Sequence, residues 1–299
     1  MINFGVTSTG DITRKYMDNI LIEERLIDSV EASTQTVLFG RSYTSPIATP
    51  AFSHMKSFGE GRPSALVEYA QVCKDLGLLN FIGMIENENL KEILATGADT
   101  VRIVKPYADR EKVLDQIRFA EENGCVAVGM DIDHIFNHNG SYDVVVGETM
   151  APVTFEDLNS FVQDTKLPFI VKGVLSVSDA LKAAKAGAKG IVVSHHSGIM
   201  PCAVPPLMIL PKIKEALKDY DMTIFVDCHI DSGVDAFKAL ALGADAVGVG
   251  RAMMPALTKE GVPGLAKFMT KMSQELKFMM DFTGFEKISE IDSSVLYNL

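Results

Sequence analysis

The chain has no tryptophan and only four cysteines in 299 residues. Cys73, Cys125, Cys202 and Cys228 form no CxxC pair and no disulfide-framework spacing, so a scaffold stapled by disulfides is excluded. Reduced thiols in a cytosol fit this usage. Positive charge is short as well: 28 lysines and arginines stand against 39 acidic residues, giving a net charge of −11 and a pI near 5.0. That balance argues against nucleic acid or an anionic membrane as a partner, while leaving room for a local basic pocket around an anionic cofactor. No apolar run approaches the ~20 residues that span a bilayer. The opening MINFGVTSTGDITRKYMDN has no basic region followed by an apolar one, so no signal peptide is expected. The expectation is a soluble, cytoplasmic protein acting on a small molecule. The apolar fraction of 47% and mean hydropathy of +0.16 are ample for a sizeable core and exclude disorder.

One phrase recurs along the chain: a helical stretch, a glycine, then a short apolar strand. It appears as CKDLGLLNFIGM, ILATGADTVRIV, AEENGCVAVGM, KAAKAGAKGIVV and ALALGADAVGVG. The glycine reads as a left-handed helix stop. The apolar run is continuous, as in a parallel strand covered on both sides. With PIATPAF, PFIVKG and TIFVDC the count reaches eight strands, beginning near 46, 79, 99, 125, 168, 189, 223 and 245. Helices are expected around 63–76, 88–95, 109–122, 154–164, 176–186, 206–218 and 232–242, with a last one over 262–281. Eight alternating units in ~250 residues predict an α/β protein of the (β/α)8 TIM-barrel type. No linker or low-complexity segment divides it. We therefore expect one domain over 1–299, with an N-terminal extension 1–45, a barrel 46–285 and a tail 286–299.

All six histidines (His54, His134, His138, His195, His196, His229) fall in or just after the C-terminal ends of these strands. The strand ends also carry Lys105, Asp131, Asp133, Lys172, Ser194, Asp227, Cys228, Gly250 and Arg251. Such groups are costly on strands buried on both faces. At the mouth of a barrel they converge on a ligand, and active sites of this architecture lie at that face. The glycines and Arg251 of AVGVGRAMM suit an anion such as a phosphate. A metal-dependent barrel enzyme, a lyase or isomerase, is the competing reading. His54, His134, His196, His229, Asp131, Asp133 and Cys228 are ligand types for zinc or iron, but no local ligand spacing unites them. A non-catalytic ligand-binding protein is a third reading.

The segments LFGRSYTSPIATPAF, KLPFIVKGVLSVSDALKAAKAGAKGIVVSHHSG, DSGVDAFKALALGADAVGVGR and FTGFEKISEI resemble the FMN-dependent 2-hydroxy acid oxidases and dehydrogenases, the glycolate oxidase and L-lactate dehydrogenase group. The resemblance covers nearly the whole chain. It implies an FMN-dependent oxidoreductase in which His196 takes a substrate proton, Asp133 supports the imidazolium, and a hydride-equivalent passes to FMN. It places Lys172 at the pyrimidine edge of the flavin, and Thr49, Pro50, Ala51 and Ser194 beside it. Asp227, Cys228, His229, Gly250 and Arg251 fall around the ribityl chain and phosphate, and no metal is expected. It also implies a homo-oligomer, a tetramer or octamer, and leaves a flavin-dependent isomerase as an alternative.

The chain departs from that family at the substrate end. The run SHHSGIM places Ile199 where the family carries a carboxylate-binding arginine, and HIFNHNGSYD lacks the second one. Two substrate tyrosines fall on Phe4 and Lys105, with Tyr107 close by. Without a bidentate guanidinium, recognition of a 2-hydroxy carboxylate loses its main charge-assisted contact. The expectation is an atypical substrate, met by Lys105, Tyr107, His134 and His195. DCHIDSG puts Asp231 where an arginine would meet the phosphate, so FMN must lean on Arg251, backbone amides and the helix N-terminus near Ser232. The family's long loop after the fourth strand is expected to be short.

Overall fold

The apolar runs after the recurrent glycines become the staves of a barrel. The structure is a computed structural model, and it describes residues 7–298. Phe4 lies outside these residues. Strands β1 (Ile47–Ala48), β2 (Asn80–Ile82), β3 (Thr100–Val104), β4 (Ala127–Asp131), β5 (Phe169–Val174), β6 (Gly190–Val193), β7 (Thr223–Val226) and β8 (Ala246–Gly248) form one eight-stranded sheet. All its ladders are parallel, and the spatial order runs 1-8-7-6-5-4-3-2. Helices α1 (Ala65–Leu76), α2 (Asn87–Leu94), α3 (Arg110–Glu122), α4 (Phe155–Gln163), α5 (Val177–Lys185), α6 (Pro206–Ala216), α7 (Gly233–Ala241) and α8 (Met254–Thr283) surround it. This is a (β/α)8 barrel.

Local chemistry explains these boundaries. Ser64, Asp109, Thr154, Ser176 and Ser232 each accept a first-turn backbone N–H at a helix start. The five recurrent glycines, Gly77, Gly97, Gly124, Gly187 and Gly243, all have positive φ and end their helices. The closing helix departs from expectation. It runs from Met254, but Gly261 (φ 64°, ψ −139°) breaks it, so the helix expected over 262–281 follows the break and a further helical stretch precedes it.

The barrel interior is filled from below. A hairpin (Thr36–Leu38 with Arg41–Tyr43) inserts Leu38 and Tyr43 into the same cluster as Phe81, Ile170 and Phe225, with Phe39 packed against it. Phe81 meets Phe225 edge-on at 5.1 Å. The polar strand ends lie at the opposite, upper end. The N-terminal helix Thr9–Asp18 lies near that end, and the strand after it, Ile20–Ile22, pairs with Leu296–Asn298 from the other end of the chain.

Among the described residues no ladder joins β1 to β2. Isolated backbone bonds (Thr49 N–H to Leu79 O, Gly83 N–H to Phe52 O) and side chains close this seam. The Thr49 hydroxyl donates to Asn80 Oδ1 at 2.9 Å and accepts the Phe81 N–H at 2.9 Å, while Asn80 Nδ2 donates to Thr100 Oγ1 at 3.0 Å. All are buried, and a buried polar group stripped of its partner costs about 1–3 kcal/mol. Asn80→Leu is therefore expected to lower the unfolding free energy by about that amount. A fall in the urea midpoint at unchanged m-value checks it.

Candidate active site

The parallel register sets the charges side by side. Lys172 is the ladder partner of Asp131, and Lys105 follows Val104, whose partner is Met130. The Asp131 carboxylate, 3% exposed, receives Lys105 Nζ at 2.6 Å and lies 3.7 Å from Lys172 Nζ. His196 stands after β6 in a left-handed conformation (φ 46°), its backbone N–H donating to Ser194 Oγ. This brings His196 Nδ1 to 2.8 Å from Asp133 Oδ1, 3.5 Å from Asp131 Oδ2 and 3.4 Å from Lys172 Nζ. Gly173 (φ 90°) makes room for the Asp133 carboxylate. A Cβ there would lie 2.5 Å from Asp133 Cγ, so no other residue fits.

These contacts decide the protonation states. Burial and the Lys172 ammonium push His196 down, but Asp131 and the Asp133 hydrogen bond outweigh both and hold it at about 9. Burial also works against the Asp131 carboxylate, and Lys172 and Lys105 overcome it, keeping Asp131 ionised well below the carboxylate range. Asp133 moves the other way, raised by burial and by the neighbouring Asp131 charge. His134, whose ring centroid is 5.4 Å from that of His196, is lowered by burial, Lys105 and His196. The two histidines thus differ: one is an imidazolium braced by carboxylates, the other a neutral ring.

Two cavities adjoin this cluster. The first, about 520 Å³, is bounded by Pro50, Ala51, Phe52, Lys172, His196, Ser197, Asp227, Cys228, His229, Asp231, Gly250, Arg251 and Ala252. It fits FMN: Lys172 supplies a cation on one wall, and Arg251 supplies another beside Gly250. A Cβ at Gly250 would meet nothing within 4 Å, so this open cradle is kept free by the absence of a side chain. Thr49 lies in a narrow space beneath, with Pro50, Ala51 and Lys172. The second cavity, about 430 Å³, has Asp133, Asn137, His138, Ser194 and His195 as its polar wall and is mostly apolar elsewhere, through Ile135, Phe136, Leu175, Ile199, Met200, Pro201 and Ala203. His196 borders the first cavity and its partner Asp133 the second.

The remaining expected site residues divide. Cys228, pushed up to about 12 by burial and Asp227, stays a thiol with its Sγ 3.0 Å from Asp227 Oδ1. Ser194 lies 3.5 Å from Cys228 Sγ but borders the second cavity. His195 borders that cavity too, with Nε2 2.9 Å from Thr13 Oγ1 of the N-terminal helix. Lys105 is buried and committed to Asp131. Tyr107 lies apart from both cavities: it is 1% exposed, with Lys112 Nζ 4.8 Å over its ring. Its place one residue beyond Pro106 turns it toward α3 rather than the barrel mouth. Sequence reasoning also left Asp131 among metal ligands. Its position two residues before Asp133, on the strand beside Lys172, was the available signal. Arg14 went unread because the helix carrying it meets the site only in three dimensions.

The metal reading gains little from this geometry. Of its seven candidate ligands, Asp131, Asp133 and His196 have ligand atoms within 4.8 Å of one another. A cation placed there would face the two ammonium groups that already balance Asp131.

Comparison with known proteins agrees with the cavity. The family model of the FMN-dependent dehydrogenases matches residues 5–152 and 138–298. A 4-hydroxymandelate oxidase of Amycolatopsis orientalis is 28% identical over 310 residues, covering 92% of this chain and 86% of that protein. A solved mandelate oxidase variant carrying a monooxide FMN adduct superposes with a TM-score of 0.83 at 28% identity, over 98% of this chain and 92% of the other. Another variant, solved with 2-hydroxy-phenylacetamide, gives 0.85 at 29% identity, over 98% and 90%. Among the described residues no helix is long and apolar enough to cross a membrane.

The His196–Asp133 contact has a direct readout. Asp133→Asn removes an anion while leaving a hydrogen-bond acceptor, so the imidazolium loses charge stabilisation. The His196 titration, followed by NMR of its ring protons, is expected to fall from about 9 by about one to two pH units. An unmoved titration would mean that Asp131 alone sustains it.

Proposed function

The chain belongs to the FMN-dependent dehydrogenase family and is an FMN-dependent oxidoreductase; from that premise we propose that it oxidises the carbinol carbon of an uncharged 2-hydroxy compound bearing an apolar substituent. The observation that carries this reading is Ile199. It stands where the resemblance places a carboxylate-clamping arginine, and it borders an apolar chamber whose wall includes Asp133. A carboxylate there would lose its bidentate partner and be desolvated against Ile135, Phe136, Ile199 and Met200. An amide, ester or ketone carries no such penalty.

FMN, when bound, supplies the two-electron acceptor. The chain's own residues do the proton work. His196 Nδ1 is engaged by Asp133, which leaves Nε2 to take the proton from the carbinol group. Asp133 and Asp131 then stabilise the imidazolium that forms. A ring already charged cannot act, so turnover requires His196 to lose its resting proton first. Lys172 stays charged, held up by Asp131 and Asp133 against burial, and places a fixed positive charge at the cavity wall. His134 is neutral and lies beside His196, but its Nδ1 faces Asp143 at 3.0 Å and it borders neither cavity, so its part is to flank the base rather than to meet substrate.

The purified protein is expected to be yellow and to bleach anaerobically with substrate. His196→Gln should keep the flavin spectrum and slow bleaching by about 10²–10⁴-fold, the usual contribution of a positioned base. Unchanged bleaching would remove His196 from the reaction. Reduction rates for a 2-hydroxy amide should exceed those for the matching carboxylate, and Ile199→Arg should shift the preference toward the acid by about 10–100-fold, the worth of a charge-assisted contact. A wild-type preference for the acid would sink the substrate reading and leave the family standing.

A further inference from the structure

We infer that His229, as an imidazolium, joins Arg251 in holding the phosphate of FMN, so that cofactor affinity in this chain falls as pH rises through the neutral range. The inference rests on FMN being the cofactor and concerns only how this chain grips it. The resemblance leaves one cation, Arg251, at this end of the cavity and replaces the other with Asp231. The structure shows what stands beside Arg251 instead. His229 Nε2 lies 3.4 Å from Arg251 Nη2, and both residues border the first cavity with Gly250. Among the described residues Arg251 has no carboxylate within ion-pair distance. Two groups capable of positive charge therefore face the same space without an anion between them.

The ring is positioned from every side. Its Nδ1 lies 3.9 Å from Asp231 Oδ2, which leaves Nε2 toward Arg251. Gly10, in the first turn of the N-terminal helix, closes the other side: a Cβ there would sit 3.0 Å from Nε2. The His195 ring centroid is 6.4 Å away. Asp231 does not repel a phosphate as a lone carboxylate would, because Arg14 Nη1 is 3.8 Å from it. Arg14 is itself fixed by Asp235 at 2.8 Å and donates to the His229 carbonyl at 3.2 Å.

The charges around the ring set the sign. Burial is the largest influence and lowers His229; Asp231 opposes it, but Arg251 and Arg14 add to the lowering and Asp11 offsets little, so the ring is neutral without an anion and accepts from Arg251. A phosphate dianion reverses the balance. Protonated, Nε2 can no longer accept from Arg251, and both N–H groups turn to the anion. Binding then takes up one proton, and by linkage the affinity weakens as protons become scarce.

The test is equilibrium binding of FMN to the full-length protein by flavin fluorescence between pH 6.5 and 8.5, a window above the phosphate's own second ionisation at about 6. Riboflavin, which lacks the phosphate, is the control. The FMN dissociation constant should rise with pH, approaching about tenfold per unit between the ionisation of the free ring and the higher one of the bound ring, while riboflavin stays flat. His229→Asn, which tolerates the left-handed conformation at φ 61°, should bind FMN more weakly at pH 6.5 and lose the slope. His229→Gly serves as a second variant with the same expectation. A slope that persists in both variants, or that riboflavin shares, overturns the inference while the cofactor assignment stands. Absence of FMN binding at every pH would overturn both.

Discussion

Everything at the barrel mouth is arranged around one carboxylate, Asp131. It is buried, it receives Lys105 directly, and it lies within ion-pair distance of Lys172 and His196. With His196 protonated, three positive groups (Lys105, Lys172, His196) stand against two negative ones (Asp131, Asp133), a net excess of one positive charge. Removing Asp131 would strand two buried ammonium groups, and breaking one partner of such a pair costs several kcal/mol. The same carboxylate sets the difference between its neighbours. It keeps Lys172 charged, raises His196, and by repulsion makes Asp133 the more basic of the two acids. An imidazolium, a raised carboxyl and a fixed ammonium thus all respond to a single buried charge.

The barrel was largely legible because its signals are local. A continuous apolar run after a left-handed glycine depends on a dozen consecutive residues, and all five such phrases became helix–strand junctions. The strand ends could be read for the same reason: register in a parallel sheet is regular, so Lys105, Asp131, Lys172 and Ser194 had to emerge at one end. What escaped was set by contacts across the chain. Tyr107 looked available beside Lys105, yet packing against α3 took it away. The helical stretch before Gly261 carried no signal of its own, whereas the Gly–Val–Pro after it marks a real break in the backbone of α8. Arg14 and Thr13 gave no sign in one dimension of reaching Asp235 and His195.

The two cavities show how such a site can change one ligand and keep the other. Residues bordering the first cavity, such as Lys172, Gly250 and Arg251, lie on or just after strand ends whose positions the barrel fixes. Residues bordering the second cavity come largely from the stretches after β4 and β6. Those loops can exchange guanidinium for isoleucine without disturbing the register that aligns His196 with Asp133. Specificity and chemistry are carried by different parts of the backbone.

The N-terminal helix gives this division an order in time. Thr13 and Arg14 brace His195 and Asp235, which lie 182 and 221 residues further along, and Ile20–Ile22 pairs with the last strand of the chain. During synthesis at roughly 5–20 residues per second, the helix waits about 10–40 s for Asp235 to exist. Its partners His195 and Met200 arrive somewhat earlier, and Asp235 comes last of these. The barrel can assemble strand by strand from neighbouring pieces, but the mouth is completed last, when the beginning of the chain closes over what was made near its end.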